Sequence, residues 1–502
     1  MDRRNFLKQA AGVTIASLAV PGCMVQRKSS GLGGIDKPNI ILVMADDLGW
    51  GDVGYNGNVT MKTPELDRMA RETLRFDRFY AAFPVCSPTR GSCLTGRHPY
   101  RYNIQWAGED PLPMEEVTIA EVLKTNGYAT GHFGKWHVGA VSKTVKQSYF
   151  PGDVDPVNYS PPWENGFEEC FSTASMMPTY NPYYHVGGAY GTEEYRFLQD
   201  VPVAKGQQTD GNRWRDHYWT GPGQIVDEWL EGDDSEIIMD RALDFIERKA
   251  KDDVPFLSAI WFHTPHTPIA AGNEDRKPFA DQPMDAQHWF GCVHAMDRQV
   301  GRLREELRKL GIADNTIIWF CSDNGPSYIH DWNSSGGLAG KKATLWEGGI
   351  RVPAVLEWPK RFKIPKVINA PICTSDFYPT LLTLVGVKPE HQPVLDGIDV
   401  MPILDGPGDT RPEPIAFQAP NKRKDNVWAE EGSLQLALID NQYKLLSFDG
   451  GKKYQLFDLV EDKGETKDIS AQKPERVKKM KQILDKWQQS CADSAAGKDY
   501  SS

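Results

Sequence analysis

Four short apolar runs, each broken off by a polar cluster, constrain this chain more than any other feature. Asn39 to Met44 (NIILVM) runs into Asp46 and Asp47, and Thr316 to Phe320 (TIIWF) runs into Asp323 and Asn324. Phe256 to Phe262 (FLSAIWF) runs into His263 and His266, and Tyr128 to Phe133 (YATGHF) runs into Lys135 and His137. Runs of this length without alternation read as strands buried on both faces. Helical spacing lies between them: Met296, Val300, Leu303, Leu307 and Leu310 recur on one face, with Gly311 as a stop. Ile238, Ala242, Phe245 and Ile246 repeat the pattern behind Ser235, a plausible cap. Strands alternating with helices predict an α/β fold, a large and mainly parallel sheet sandwiched by helices. Ligands of such sheets bind beyond the carboxyl ends of the strands, so the four clusters are expected to converge on one site.

Composition excludes several alternatives. The 502 residues include 15 Trp, 18 Tyr and 20 Phe, enough apolar surface to offset chain entropy and more chain than one small domain needs. No recurring unit points to a solenoid or coiled coil. The formal charge of −11 argues against nucleic acid as a partner, though not against an anionic substrate in a locally basic pocket. Eight cysteines with no CxxC pair form neither a disulfide framework nor a zinc site. Cys93 reads as a core thiol, and pairing among Cys170, Cys292, Cys321, Cys373 and Cys491 stays open.

Residues 1–34 read as an export signal and linker. Arg3 and Arg4 precede an apolar stretch from Ala10 to Val20, too short for a bilayer core of ~30 Å. RRNFLK resembles a twin-arginine signal, and Cys23 after Val20, Pro21 and Gly22 resembles a lipoprotein cleavage site. The expected location is therefore periplasmic or membrane-tethered through a lipid anchor at Cys23, with no transmembrane span. Residues 35–390 are expected to form the main domain, the one that carries the four polar clusters. Residues 391–502 are expected to form a small α+β subdomain of short strands (IAFQA, LQLALI, YKLLSF, YQLFDL), with Asp449 and Gly450 in a turn, and a helix from Pro474 to about Ser490. Residues 141–232, rich in Tyr, Trp, Pro, Gly and Asn, read as long loops that shape a pocket.

The polar clusters suggest their chemistry. The adjacent carboxylates Asp46 and Asp47 repel one another unless a cation lies between them. Asp323 and Asn324, at the end of another strand, would complete an oxygen set for a hard divalent ion. PVCSPTRGSCLTGRHPYR carries Cys86, Pro88 and Arg90 in the order CxPxR, followed by Gly91, Thr95, Gly96 and Arg97. With NIILVMADDLGWGDVGYNG, GHFGKWHVG, HTPHTP, SDNGP, GKKATLWEGGIRVP and LFDLVEDKGETKDIS, seven ordered blocks from residue 39 to 470 resemble the type I sulfatases of the alkaline phosphatase superfamily.

That resemblance implies an enzyme, a sulfuric ester hydrolase whose Cys86 is oxidised to formylglycine by a formylglycine-generating or anaerobic maturating enzyme. The hydrated aldehyde attacks sulfur through one hydroxyl and expels sulfate through the other. The resemblance further implies that Asp46, Asp47, Asp323 and Asn324, with modified Cys86, hold one divalent cation, Ca²⁺ in preference to Mg²⁺. Arg90 orients the nucleophile, Lys135 bridges it to the sulfate, and His137 takes a proton during sulfate release. His266 protonates the leaving oxygen, and Lys342 clamps a sulfate oxygen, with Lys341 as a second candidate. His263 is given a minor role, and His98 and His132 read as structural.

Family loops read the group bearing the sulfate. Here Tyr180, Tyr183, Tyr184, His185, Arg213, Trp214, Arg215, His217 and Trp219 offer stacking faces and cations suited to a sulfated saccharide. The expected substrate is a glycosaminoglycan or algal oligosaccharide, attacked from its end. Rival readings are a phosphonate or phosphodiester hydrolase on the same fold, and a sulfated-glycan binding protein with unmodified Cys86.

Overall fold

The computed structural model describes residues 37–145, 147, 158–182, 216–327, 332–387, 392–422 and 432–500. The export segment with Cys23, and the candidate substrate residues Tyr183, Tyr184, His185, Arg213, Trp214 and Arg215, lie outside the described residues. Among the described residues no helix is long and apolar enough to cross a membrane.

The main sheet has ten strands: β1 (Asn39–Ala45), β2 (Leu74–Phe76), β4 (Ala129–Lys135), β5 (Glu169–Thr173), β6 (Tyr218–Gly221), β7 (Gln224–Val226), β8 (Phe256–Trp261), β9 (Thr316–Ser322), β11 (Ala354–Glu357) and β12 (Lys366–Ile368). A small sheet joins β3 (Phe79–Tyr80), β10 (Arg351–Val352) and β13 (Ile372–Cys373), and a third joins β14 (Ile415–Pro420), β15 (Leu434–Asp440), β16 (Tyr443–Ser447) and β17 (Gln455–Asp458). The order in the main sheet is β12-β2-β11-β9-β1-β8-β4-β5-β6-β7. The four expected strands, β9, β1, β8 and β4, are thus consecutive at its centre and mutually parallel. The flanks are mixed: β11 is antiparallel to β9, and β6 is antiparallel to β5.

The apolar runs are continuous because both faces are covered. Ile40, Leu42 and Met44 pack on one side with Cys93, Leu94 and Leu123, while Ile41, Val43 and Ala45 pack on the other with Met69, Ile238 and Met296. Truncating one such side chain to Ala typically costs about 2–5 kcal/mol. Helix Cys86–Thr95 covers the first face, and helices Asp234–Lys251 and Met284–Lys309 cover the second.

Three local expectations change. Ser235 does not cap its helix; the Asp233 side chain accepts from the Glu236 amide at 3.1 Å, while the Ser235 hydroxyl meets that of Thr264 at 3.0 Å. Helix Met284–Lys309 begins well before the visible repeat, because its first half is buried nearly all round (His288, Trp289, Phe290, Gly291, Cys292 and Val293) and only Asp285, Gln287 and His294 leave a thin, partly exposed polar strip. The stretch 141–232 contains β5, β6 and β7, strands of five, four and three residues, too short to leave a period. The C-terminal strands and turn fall where expected, as one antiparallel four-stranded sheet backed by helix Pro474–Ala495.

Candidate active site

The sheet geometry brings the four clusters to one edge. Ala45 pairs with Ser322, so Asp46 and Asp323 leave adjacent strands at the same level, and Lys135 ends β4 two strands away. Asp46 N donates to the Thr264 carbonyl at 3.0 Å, which draws the loop of His263 and His266 over the same edge. Cys86, at the first turn of helix Cys86–Thr95, completes the group: its sulfur and carboxylate oxygens of Asp46 and Asp323 all lie within 4.8 Å of one another.

These charges are buried and interlocked. Lys135 Nζ reaches Asp46 Oδ2 at 2.5 Å, and Lys342 Nζ reaches Asp47 Oδ1 at 2.6 Å. Arg90, fully buried, donates to Asp323 Oδ2 at 3.1 and 2.7 Å and to the Lys135 carbonyl at 2.8 Å. It thereby ties the Cys86 helix to two strand ends rather than bonding Cys86 itself. Asn324 Nδ2 donates to Asp47 Oδ1 at 2.7 Å, and His266 Nε2 lies 3.8 Å from Asp47 Oδ2. His266 Nδ1 faces the Thr267 carbonyl at 2.7 Å, and since a carbonyl only accepts, that nitrogen carries the proton.

The electrostatics follow from burial and these neighbours. Burial raises the Asp47 carboxyl, but Lys342, His266 and the hydrogen bonds from Lys342 and Asn324 outweigh it and hold it well below the usual range. Asp323 is pushed up to about 6 by burial and by Asp46, against Arg90 and Lys135. Burial pushes the Cys86 thiol up, opposed by Lys135 and Lys342. His266 is pulled down to about 3 by burial and by Lys135, and His137 is held well below its usual value by burial, Lys135 and Arg90. Lys342 stays firmly charged despite burial because of Asp47.

A divalent cation fits this set. Asp46 Oδ1 and Asn324 Oδ1 are buried acceptors with no hydrogen-bond partner, an arrangement that is costly unless a cation supplies the missing partner. All the protein donors are oxygens apart from Cys86, which suits a hard ion.

Lys342 rather than Lys341 reaches the carboxylates. Its loop closes because Gly348 and Gly349 lie against backbone: a Cβ on Gly349 would stand 2.0 Å from the Thr344 carbonyl oxygen, and one on Gly348 2.5 Å from that of Gly340. His263 stays behind the site, its Nδ1 2.8 Å from Asp234 Oδ2 and its Nε2 2.7 Å from Thr173 Oγ1. His132 Nδ1 lies 2.7 Å from Ser172 Oγ, and His98 stands edge-on to Trp487 at 4.8 Å. Trp219, expected as a possible stacking face, is 1% exposed and packs in the core; Tyr180 and His217 are half-buried. The seven described cysteines are buried free thiols, so no pairing forms among them.

Sequence reasoning missed several supports. Ser322 Oγ accepts from Leu48 N at 3.0 Å and donates to the Asn324 carbonyl at 3.0 Å, and Asp52 Oδ2 accepts from Gly49 N at 2.8 Å. Asp47, His137 and Ala343 have φ of 65°, 58° and 71°, a region that non-glycine residues seldom enter and that clusters at functional sites.

A central parallel sheet whose carboxyl edge holds carboxylates, three buried cations and a first-turn cysteine defines a hydrolase site for an anionic ester. Residues 38–387 match the sulfatase family, and residues 339–490 match the C-terminal region of N-sulphoglucosamine sulphohydrolase. The chain belongs to the sulfatase family, and it is a sulfuric ester hydrolase with an alkaline phosphatase-like fold. It is 31% identical over 476 residues to arylsulfatase G of Rattus norvegicus, covering 89% of this chain and 82% of that one. It is 30% identical over 404 residues to N-acetylgalactosamine-6-sulfatase of Canis lupus familiaris, covering 77% and 69%. The solved structure of Ps i-CgsB superposes with a TM-score of 0.72 at 30% identity, covering 90% of this chain and 93% of that one. The same protein has been solved in complex with k-i-k-neocarrahexaose.

Proposed function

We propose that this enzyme removes sulfate from the ends of sulfated oligosaccharides of the glycosaminoglycan or algal type, with Cys86 as formylglycine and a divalent cation, Ca²⁺, at its side. The observation that carries this reading is the buried position of Cys86 at a helix start, among Asp46, Asp323, Lys135 and Lys342. A relative that binds a neocarrahexaose and relatives named for N-acetylgalactosamine sulfate support a sugar substrate.

Asp46, Asp47, Asp323, Asn324 and Cys86 would hold the cation, which when bound withdraws charge from sulfate oxygens and favours an ionised hydroxyl beside it. Cys86 as hydrated formylglycine supplies one hydroxyl to attack sulfur and a second through which sulfate leaves. Lys135 and Lys342 place two ammonium groups on the sulfate, and Arg90 fixes the helix that presents the nucleophile against Asp323. The N-terminus of that ten-residue helix also favours an anion. His137 accepts a proton during sulfate release. His266 must carry a second proton, at Nε2, to protonate the leaving alcohol; the arriving sulfate favours that imidazolium. Cys86 is 2% exposed, so a maturating enzyme has to reach it before the chain closes. The burial of Cys86, Asp46, Asp47 and Asp323 favours a terminal sugar over the middle of a polymer.

The test is enzyme from a host able to make formylglycine, assayed on defined sulfated oligosaccharides, aryl sulfates and phosphate diesters. Mass analysis of the tryptic peptide Phe79–Arg90 accompanies it. Desulfation of a terminal sugar and a mass lowered by exchange of thiol for aldehyde are expected. Turnover of aryl sulfates alone would remove the sugar assignment, and activity with an unchanged peptide mass would remove the formylglycine.

A further inference from the structure

Among its contacts with the catalytic domain, the C-terminal sheet reaches the residues just after Lys342 through a side chain that the sulfatase motifs do not include. Positions 435, 437 and 439 of β15 face the catalytic domain, where Ala437 and Ile439 pack with Phe417, Leu446, Leu345 and Trp346. Gln435 occupies the first of these positions and is fully buried. An amide on an apolar face is unfavourable unless both its ends are paired. Both are: Gln435 Oε1 accepts from Leu345 N at 3.0 Å, and Gln435 Nε2 donates to the Ala343 carbonyl at 2.9 Å. The side chain thus acts as a neighbouring strand would toward Ala343 and Leu345, the first and third residues after Lys342.

The grip reaches both ends of the site. Ala343 holds its left-handed φ of 71° between two partners, since its own N–H donates to the Pro84 carbonyl at 2.8 Å, two residues before Cys86. Lys342 N donates to the Pro326 carbonyl at 3.0 Å, just beyond Asn324. One residue after Trp346, Glu347 is caught again by the same sheet, through Lys444 Nζ at 3.0 Å. The loop that carries Lys342 is therefore pinned to the nucleophile turn, to the Asp323 turn and to the C-terminal sheet.

We infer that Gln435 is a positioning residue for Lys342, so that the C-terminal subdomain sets the placement of a sulfate-binding ammonium. The inference rests on the assignment of Lys342 to the sulfate.

The test is a double-mutant cycle on an aryl sulfate with Gln435→Met and Lys342→Ala, combined with hydrogen exchange of residues 343–347. Gln435→Met should lower kcat/KM about tenfold to a hundredfold, the scale of a small misplacement near the chemistry. In the Lys342→Ala background it should cost less than about threefold more, because the residue it positions is gone. Exchange of the Leu345 amide should quicken whether or not Cys86 has been modified. Additive losses, unchanged kcat/KM for Gln435→Met, or unchanged exchange would each overturn the inference. A Lys342→Ala variant as active as the parent would instead overturn the sulfate assignment of Lys342. Should Gln435→Met not fold, Gln435→Glu keeps the acceptor for Leu345 N–H and removes the amide donor to Ala343; equal activity and exchange in that variant would overturn the inference too.

Discussion

Two clusters of buried charge lie close together in this molecule and are built on opposite plans. At the seam with the C-terminal sheet, Lys444 stands between Glu347 at 3.0 Å and Glu465 at 2.8 Å, Arg351 faces Glu347 at 3.6 Å, and the Tyr80 hydroxyl donates to Glu347 at 3.0 Å. Two acids meet two bases, and each charge faces its opposite. At the sheet edge, Asp46, Asp47 and Asp323 also meet Arg90, Lys135 and Lys342, yet Asp46 Oδ1 and Asn324 Oδ1 are left without partners. The seam sets every charge against an opposite one of the protein: Arg351 Nη1 and Glu465 Oε1 make no hydrogen bond but each stands in ion-pair contact, whereas the two oxygens at the edge face no protein cation or donor of their own. The edge is in balance without a metal; the divalent cation proposed above would leave it with a surplus of positive charge, which would suit a sulfate monoester. The difference separates charges that hold two parts of a fold together from charges held ready for a ligand.

The comparison breaks first, if at all, at Cys86. Cys86→Ala should abolish sulfate release while lowering the melting temperature of the folded chain only slightly, because the change removes a single side-chain atom at this buried position. A variant that retains turnover, or that melts far below the parent, would place Cys86 in the structural class instead. Next in size is His266. His266→Ala should slow desulfation of sugar alcohols by about 10²–10⁴-fold, the usual contribution of a general acid, and slow activated aryl sulfates much less, since only poor leaving groups need the proton. Equal losses on both substrates would remove His266 from that role.

How much of this contrast can be read from the chain depends on what each cluster is made of. The sheet edge was legible because its residues sit at the ends of continuous apolar runs: Asp46 after NIILVMA, Asp323 after TIIWFCS, and Lys135 as the last residue of β4. The seam was not. Lys444 lies in YKLLS and Glu465 in a loop after β17, and nothing local says that a lysine in a short strand is fully buried. Its partner Glu347 is about a hundred residues earlier, so only the fold brings them together. Gln435 is hidden in the same way. The helix cap at Asp233 was missed because Ser235 is an equally good local candidate, and the choice is made by Thr264, which takes the serine hydroxyl. Trp219 was misjudged because an aromatic in a short strand looks the same whether it faces a ligand or the core.

The seam should answer mutation chiefly in stability, with a smaller effect on chemistry through its hold on Glu347, five residues after Lys342. Lys444→Met fills the same space but leaves Glu347 and Glu465 facing each other, with Arg351 near only the first. Breaking a buried ion pair from one side typically costs about 3–5 kcal/mol. Denaturant unfolding should show a loss on that scale. Residual kcat on an aryl sulfate at low temperature should fall less than for any variant of the sheet edge. A Lys444→Met chain as stable as the parent would mean that the seam contributes little and that the two clusters do not differ in kind.

The smallest expected effect is a dependence on pH. Glu465 is pushed up to about 7 from a usual 4.5 by burial, with Lys444 opposing and Glu347 adding to the rise. In the unfolded chain this carboxyl loses its proton near 4.5, while in the folded chain it keeps it to about 7. Across that window the folded state binds more protons, so stability contributed by this group is full below the lower value and declines as pH rises to the upper one. Glu465→Gln has no proton to lose and keeps the size of the side chain. Its melting temperature should therefore gain on the parent steadily between pH 4.5 and 7, by an amount corresponding to on the order of 3 kcal/mol, and the gap should level off above that. A gap that stays constant over the window would mean that Lys444 holds Glu465 ionised throughout. The seam would then be a fixed ion triad, with charge as permanent as that of Asp47 at the sheet edge.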